Sequence, residues 1–245
     1  MLSAKPWRAE AVLQFCGAQL VLFCACVLVA NLLQKAGFAA FRPPDGFGAV
    51  LLGTLGFQGA TLVLAPFFLR QHRLGWREAF GLREPRWPRL LFPAGLLTLA
   101  LLPVVLGLQI ISAELLFRAG WSPQAQLAVT LLADSKSWGM RIYLGLFAVV
   151  LAPVAEEFIF RGMLYPFVKR LGYPRLAWIG VSLAFALVHD DAATFVPLFV
   201  LALALTWLYE LTDNLFAPIA VHALFNAANL VLLLLMGLPA DQLHE

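Results

Sequence analysis

Residues 11–33 read AVLQFCGAQLVLFCACVLVANLL, an apolar run that contains no charged side chain. A transmembrane helix needs about 20 mostly apolar residues, whereas the apolar core of a cleaved secretory signal has about 7–15. The run follows Lys5 and Arg8, as a signal core would, but its 23 residues are too many for one. We therefore expect an uncleaved first transmembrane helix.

The composition of the whole chain points the same way. Of its 245 residues, 62% are hydrophobic and 13% are charged, against about 45–50% and 25% in soluble domains. Such a chain has too few polar side chains to cover a water-facing surface, so lipid must be the solvent for much of it. This excludes an ordinary soluble protein and predicts one integral membrane domain over residues 1–245, with the lipid bilayer as a partner.

Six further apolar segments follow the first one. The seven predicted spans cover residues 11–33, 47–69, 90–111, 140–160, 176–188, 194–209 and 217–238. Residues 115–132 are moderately apolar but are broken by Arg118, Gly120 and Pro123, and would form an interfacial or re-entrant segment or an eighth span. We thus predict an all-α, polytopic transmembrane bundle of about seven or eight spans, in which the fifth and sixth are short.

Lysine and arginine accumulate in short cytoplasmic loops of membrane proteins. Residues 70–89, the arginine-rich loop, hold six arginines, and three further basic residues follow the fourth span: Lys169, Arg170 and Arg175. With seven spans, both segments lie on the same side as the amino terminus. The acidic Asp190 and Asp191 lie on the other side, together with Asp241 and Glu245 of the tail, although Lys35 and Arg42 also lie there. We predict the cell inner (plasma) membrane and a cytoplasmic amino terminus.

The arginine-rich loop itself has two interpretations. It could be a topology signal that touches anionic lipid headgroups, or it could be a nucleic-acid or partner site. The first interpretation needs no further assumption, so no nucleic-acid partner is predicted.

The fourth predicted span ends in a charged stretch, APVAEEFIFR at residues 152–161. A charge at the centre of a membrane helix costs about 2.5–3.5 kcal/mol on insertion scales, so such residues are functional candidates. Glu157 and Arg161 are four apart, and on a helix they face each other and can pair. Glu156 lies about 100° further round and has no such partner. Pro153 can kink or start a helix there.

Two histidines accompany this stretch. His189 ends the fifth span, and His222 lies on one helical face with Asn226 and Asn229 in the seventh. Each polar residue also has a structural interpretation, as an ion pair, a packed histidine or a hydrogen bond between helices. Together, a free carboxylate, two histidines and a carboxamide supply a base, a proton carrier and oxyanion donors, which is what hydrolysis requires.

Three motifs occur in this order: Glu156-Glu157-x-x-x-Arg161, Phe185-x-x-x-His189 and His222-x-x-x-Asn226. They resemble the motifs of the CAAX-processing and bacteriocin-processing (CPBP, or Abi) intramembrane peptidases, which include the type II CAAX prenyl endopeptidases. The resemblance covers about residues 140–230, with the site residues within 152–230. The first 130 residues match only in being membrane-spanning.

The resemblance implies an intramembrane endopeptidase that hydrolyses peptide bonds in or near the bilayer, with a membrane-associated protein or peptide as its substrate. Six residues share the site in such a protein, and the resemblance implies a role for each: Glu156 and His189 activate the hydrolytic water, His222 and Asn226 stabilise the oxyanion, and Glu157 and Arg161 support the site.

The need for a metal stays open at this point. Glu156, His189 and His222 could ligate zinc, but the chain has no His-Glu-x-x-His helix. The resemblance includes a metal-free, glutamate-dependent mechanism, which we favour, so no metal ligand and no cofactor is predicted and a zinc-dependent peptidase is the alternative.

Two other classes of membrane protein are alternatives to a peptidase. Intramembrane ionisable residues and broken helices are also typical of a proton-coupled membrane transporter. The chain shows no internal repeat, which disfavours a transporter. A non-catalytic membrane scaffold would not need the three motifs.

Overall fold

We describe a computed structural model of the chain. It describes residues 2–41, 47–82, 87–121, 132, 135, 138–189 and 191–236, without the side chains of residues 87–89 and 236. In this part of the chain the regular structure is helical and contains no strand. The long helices are α1 Ala9–Lys35, α2 Phe47–Gln71, α3 Trp87–Arg118, α4 Trp138–Arg170, α5 Pro174–Leu187, α6 Ala192–Thr212 and α7 Phe216–Met236.

The prediction of an all-α membrane fold is confirmed. All of these helices except α5 are long and apolar enough to cross a membrane. The 14 residues of α5 extend about 21 Å at 1.5 Å per residue, less than a hydrocarbon core of about 30 Å. The chain is an integral membrane protein, and its described residues contain six candidate spans and one shorter apolar helix.

The fourth helix differs most from its predicted bounds. It was expected to end near residue 160, where the charges begin, but α4 continues to Arg170. The reason is that Arg161 is fully buried and neutralised within the protein, so its charge does not mark the end of the membrane segment.

Several predicted features lie outside the described residues. Residues 115–118 of the proposed eighth span belong to α3, whereas most of residues 122–132 are not described. The same holds for six charged residues of the orientation argument and for one further side chain: Arg42, Arg83, Arg86, Asp190, Asp241 and Glu245, and the side chain of Arg89.

The chain divides into two compact units. Pro6–Ala79 form the smaller one, with α1 and α2, and Met1–Lys5 together with Phe80–Glu245 form the larger one. Every predicted site residue belongs to the larger unit. The single domain over residues 1–245 stays a prediction.

In the smaller unit, α1 packs against α2 around a π-helical turn at Leu55–Gly59. A π turn interrupts the regular α-helical hydrogen-bond ladder, and the buried Gln19 donates to two carbonyls of this turn, Gly56 O at 3.2 Å and Phe57 O at 2.9 Å. The polar side chain within α1 therefore holds the irregular turn of α2.

In the larger unit, α6 packs against α3, α5 and α7. Its Leu201 and Leu205 are fully buried with Val221 and Phe225 of α7 and with Val105 of α3. This core joins α6 to α7, while α6 also packs against α5 and α7 also packs against α4. The helices that carry the site residues are therefore packed into one unit.

Polar contacts close one end of the larger unit. Lys5 Nζ lies 2.7 Å from Asp213 Oδ1 in the turn between α6 and α7, and Lys169 of α4 lies 2.6 Å from Glu210 of α6. Gly81 has a φ of +68°, and a Cβ there would lie 1.8 Å from the carbonyl oxygen of Asp213, so only glycine fits. The amino-terminal segment, residue 81 and the end of α4 therefore lie at the same end of this unit.

Candidate active site

The irregular course of α4 surrounds a proline. π-helical turns at Phe147–Leu151 and Phe158–Leu164 flank the short α-helical segment Ala152–Glu157. In the first turn the N–H of Ala152 bonds to the carbonyl of Phe147. The carbonyl of Ala148 would next accept from residue 153, but Pro153 has no N–H. Asn226 of α7 donates to that carbonyl instead, with Nδ2 2.8 Å from Ala148 O.

The two adjacent glutamates of this segment occupy different surroundings. The side chain of Glu157 is fully buried, whereas that of Glu156 keeps 12% of its surface exposed. Oε1 of Glu157 accepts from Arg161 Nη1 at 2.7 Å and from His222 Nδ1 at 2.8 Å. The contact expected from the four-residue spacing is present, and a histidine from α7 joins it.

Arg161 is held on all sides. Its Nη2 donates to Ala202 O at 3.0 Å and its Nε donates to Thr206 Oγ1 at 3.3 Å. The guanidinium carbon also lies 4.6 Å from the centre of the Phe185 ring, within the range of a cation–π contact. A buried charge needs such partners, because an unpaired one is costly to desolvate.

The hydrogen bonds of the two histidines determine their tautomers. His189 Nδ1 lies 2.7 Å from the carbonyl oxygen of Phe185, one turn earlier. A carbonyl only accepts, so Nδ1 carries the hydrogen. His222 Nδ1 likewise faces the carboxylate of Glu157. When either ring is neutral, Nε2 is therefore the atom with a free lone pair.

Both Nε2 atoms approach the same oxygen. His189 Nε2 and His222 Nε2 each lie 3.9 Å from Oε2 of Glu156. These separations are too long for direct hydrogen bonds, but a water that makes two bonds of about 2.8 Å fits between atoms that far apart. The arrangement can therefore hold a water against one carboxylate and two imidazoles.

The segment that contains this site is similar to a known protein family. Residues 137–228 match the family model described as "Type II CAAX prenyl endopeptidase Rce1-like". Residues 137–228 form an Rce1-like domain. The proteins of this family are intramembrane proteases, and the chain is assigned to that enzyme class, with a peptide as the substrate. No curated protein and no solved structure matches the chain.

The Rce1-like domain brings the predicted site residues together in two groups. Glu156, His189 and His222 converge on one point, while Glu157 and Arg161 lie behind His222. Asn226 lies one turn after His222, and one of its two amide hydrogens is committed to the carbonyl of Ala148. Its second amide hydrogen is the one that an oxyanion could use.

A zinc ion was the alternative for the first group. One carboxylate and two neutral imidazoles are suitable donor types. Ligand atoms around one tetrahedral zinc lie about 3.3 Å apart, whereas Oε2 of Glu156 lies 3.9 Å from Nε2 of each histidine. Within the described residues, no group of three or more His, Cys, Asp or Glu side chains is spaced to hold a metal. These separations are wider than those of a zinc site, and the metal-free mechanism stays a prediction.

Several contacts of the Rce1-like domain were not predicted. Thr206 and Ala202 lie outside the three motifs, and the bond between Glu157 and His222 joins residues 65 positions apart. No periodicity or spacing reports contacts between separate helices. One further contact, from Asn226 to the carbonyl of Ala148, has a signal in the sequence. The missing N–H of Pro153 implies that a carbonyl nearby needs another donor.

Proposed function

We propose that the Rce1-like domain hydrolyses peptide bonds in or near the bilayer with a water activated by Glu156 and His189, without a metal. The observation that carries this proposal is the approach of His189 Nε2 and His222 Nε2 to the same oxygen of Glu156, at 3.9 Å each. The rest of the network fixes the opposite nitrogen of both rings, so that Nε2 is the atom available for chemistry.

The number of protons and charges around Glu156 is compatible with a bound water. If one water bridges Glu156, His189 and His222, it has two hydrogens for three lone-pair atoms, so one of the three groups carries a proton itself. The two glutamates and Arg161 sum to one negative charge, and one added proton makes the whole group neutral. A site of low dielectric constant favours that neutrality.

The reaction then follows from the positions of the side chains. Glu156 takes a proton from the water while the water oxygen bonds to the carbonyl carbon and the carbonyl electrons move to its oxygen. The second hydrogen stays on the water oxygen and is donated in a hydrogen bond to His189 Nε2, which orients the water. When the tetrahedral intermediate collapses, the C–N bond breaks and the leaving nitrogen takes the proton from Glu156, which yields a carboxylic acid and an amine.

We assign the stabilisation of the oxyanion to His222 and Asn226. His222 Nδ1–H is held by Glu157, so Nε2 can donate only when the ring is an imidazolium, and the charge of Glu157 offsets the charge of that ring. Asn226 contributes its second amide hydrogen. Donors that are fixed before the reaction stabilise the developing charge without reorganisation.

The geometry of α5 supports cleavage at a membrane depth. Because α5 extends only about 21 Å, a helix that starts at one face ends before the other face of a core of about 30 Å. His189 follows its end by two residues. A substrate that reaches His189 is thus a membrane-associated protein or peptide.

The orientation belongs to the proposal as well. We propose that the chain lies in the inner (plasma) membrane, and its basic residues favour an amino terminus and an arginine-rich loop in the cytoplasm. The exposed Arg77 tests it: after replacement of Cys16, Cys24 and Cys26 by serine, Arg77→Cys should react with an impermeant maleimide only from the cytoplasmic side. Labelling from the outside of intact cells alone would reverse the orientation.

The function is tested by comparing membrane proteomes of cells that make the wild-type protein with those that make Glu156→Gln. We expect shortened membrane-associated proteins with new termini in the wild-type cells, and their full-length forms in the variant cells. A transporter would instead change solute contents and produce no new termini, and that outcome would overturn the proposal.

A further inference from the structure

The side chain of Thr206 is the point where three helices of the site meet. Its single hydroxyl hydrogen is donated to Ala202 O at 2.8 Å, one turn earlier on α6. Its lone pairs then face Arg161 Nε of α4 at 3.3 Å and Ser182 Oγ of α5 at 3.5 Å. All three polar side chains are fully buried, so water cannot replace any of these contacts.

The contact with Arg161 lies at the start of a chain of hydrogen bonds. Arg161 Nη1 donates to Oε1 of Glu157, and the same oxygen accepts from His222 Nδ1. His222 Nε2 in turn faces Glu156. A displacement of the guanidinium therefore moves the oxygen that orients His222.

The contact with Ser182 ties the other histidine to the same point. Ser182, Phe185 and His189 are spaced by three and four residues, so they lie on one side of the chain as α5 ends. Phe185 packs over Arg161 and lies 4.7 Å from the His189 ring and 5.7 Å from the His222 ring, centre to centre. The face of α5 that carries His189 is thus aligned against Thr206 and Arg161.

We propose that Thr206, which no motif includes, is a positioning residue that sets the orientation of His222 through Arg161 and Glu157. This inference rests on the proposed hydrolytic function. Within the described residues the Nε–H of Arg161 has no acceptor other than Thr206 Oγ1. Without that hydroxyl it would be a buried donor that lacks a partner, which the side chain can relieve only by shifting.

The test compares Thr206→Val, which keeps the shape and removes the hydroxyl, with Thr206→Ser, which keeps the hydroxyl. The matched control is Thr98→Val: Thr98 is also buried, and its hydroxyl bonds to Ala94 O at 2.8 Å in the same one-turn geometry, but it lies on α3, which carries no motif residue. If Thr206→Val fails to fold, Thr206→Cys replaces it, because a thiol is only a weak acceptor.

Two readouts separate positioning from general destabilisation. The first is the ¹⁵N spectrum of histidine-labelled protein, in which the His222 signals are assigned by their loss in His222→Gln. The second is cleavage of a quenched, farnesylated peptide with a CAAX end. We expect Thr206→Val to shift the His222 ring signals and to lower kcat about tenfold, with KM changed less than about twofold. Thr206→Ser and Thr98→Val should stay near wild type.

The proposal is overturned if Thr206→Val leaves the His222 signals and kcat unchanged, or if Thr98→Val changes them equally. It is also overturned if Thr206→Ser, which keeps the hydroxyl, changes the His222 signals and kcat as much as Thr206→Val does. The proposed function fails by a different result, namely cleavage that does not depend on Glu156, and the ¹⁵N spectra test Thr206 even then.

Discussion

Oε1 of Glu157 lies 2.8 Å from Nδ1 of His222, although 65 positions separate the two residues in the sequence. The same oxygen accepts from Arg161 at 2.7 Å. Glu157 is therefore both the partner of a buried cation and the group that orients a histidine of the proposed site. Its other oxygen, Oε2, is buried and has no hydrogen-bond partner in the described part of the chain.

The first prediction concerns the stability that Glu157 supplies. Glu157→Gln should lower the free energy of unfolding by about 3–5 kcal/mol, because it leaves the charge of Arg161 buried without its counter-ion. It should also lower activity, because His222 loses its carboxylate. The measurements are thermal melting in detergent and peptide cleavage.

A double variant serves as the control for this prediction. Glu157→Leu with Arg161→Met removes both charges and should recover part of the lost stability, since two apolar side chains need no partner. It should not recover activity. Melting of Glu157→Gln at the wild-type temperature would contradict the importance of this buried pair.

The second prediction separates two roles of Asn226. Asn226→Leu should lower the free energy of unfolding by about 1–3 kcal/mol, because the carbonyl of Ala148 loses its donor. Adding Pro153→Ala restores a backbone N–H near that carbonyl, so the loss should be smaller in this background. A double-mutant cycle measured by thermal or denaturant unfolding checks the coupling.

The activity of the same double variant decides the chemical role. If Asn226 donates to the oxyanion, restoring stability with Pro153→Ala leaves kcat low. Full recovery of kcat would show that Asn226 acts only as a structural donor to α4.

The third prediction concerns the contact between the amino terminus and the α6–α7 turn. Burial alone would raise the pKa of the Asp213 carboxyl, but hydrogen bonds from Lys5 and Ser3 outweigh it and hold that pKa below its usual value. A carboxyl whose pKa is lower in the folded state stabilises the fold at pH values above its unfolded pKa of about 3.9. That stabilisation is lost as the pH falls through the folded pKa.

The matching experiment follows the melting temperatures of wild type and Asp213→Asn over a range of pH. Above about pH 5 the wild type should melt higher by a constant margin, and the margin should shrink below about pH 4. A margin that instead grew towards acid pH would contradict the favourable contact with Lys5.

The fourth prediction concerns metal removal. Since the 3.9 Å separations around Glu156 are wider than those of a zinc site, a chelator should leave the cleavage rate of purified protein within about twofold of the untreated rate. Elemental analysis of the same sample should find less than one zinc per chain. Loss of activity with the chelator and recovery with zinc alone would reassign Glu156, His189 and His222 as ligands.

The sequence was sufficient for the features that depend on local spacing. The apolar runs predicted the membrane helices, and the four-residue spacing predicted that Glu157 and Arg161 meet and that Glu156 does not share their contact. These features follow from helical periodicity and from the cost of charge in lipid, both of which act along one segment.

The sequence was insufficient where separate helices meet. Neither the bond of His222 to Glu157 nor that of Arg161 to Thr206 has a signature in spacing, because each depends on how whole helices pack. The extension of α4 to Arg170 has no signature for the same reason: in the sequence Arg161 resembles the end of a span, whereas in the structure it is buried against Thr206 and Ala202 of α6.

The most direct test of the account is the turnover of Glu156→Gln measured beside its melting temperature. Glu156 forms no hydrogen bond shorter than 3.5 Å in the described structure, and its Oε2 faces the two histidines at 3.9 Å each. The account predicts that the variant melts near the wild-type temperature and that kcat falls by about a hundredfold or more, as expected on loss of a general base. A folded Glu156→Gln protein that cleaves peptide at close to the wild-type rate would contradict it.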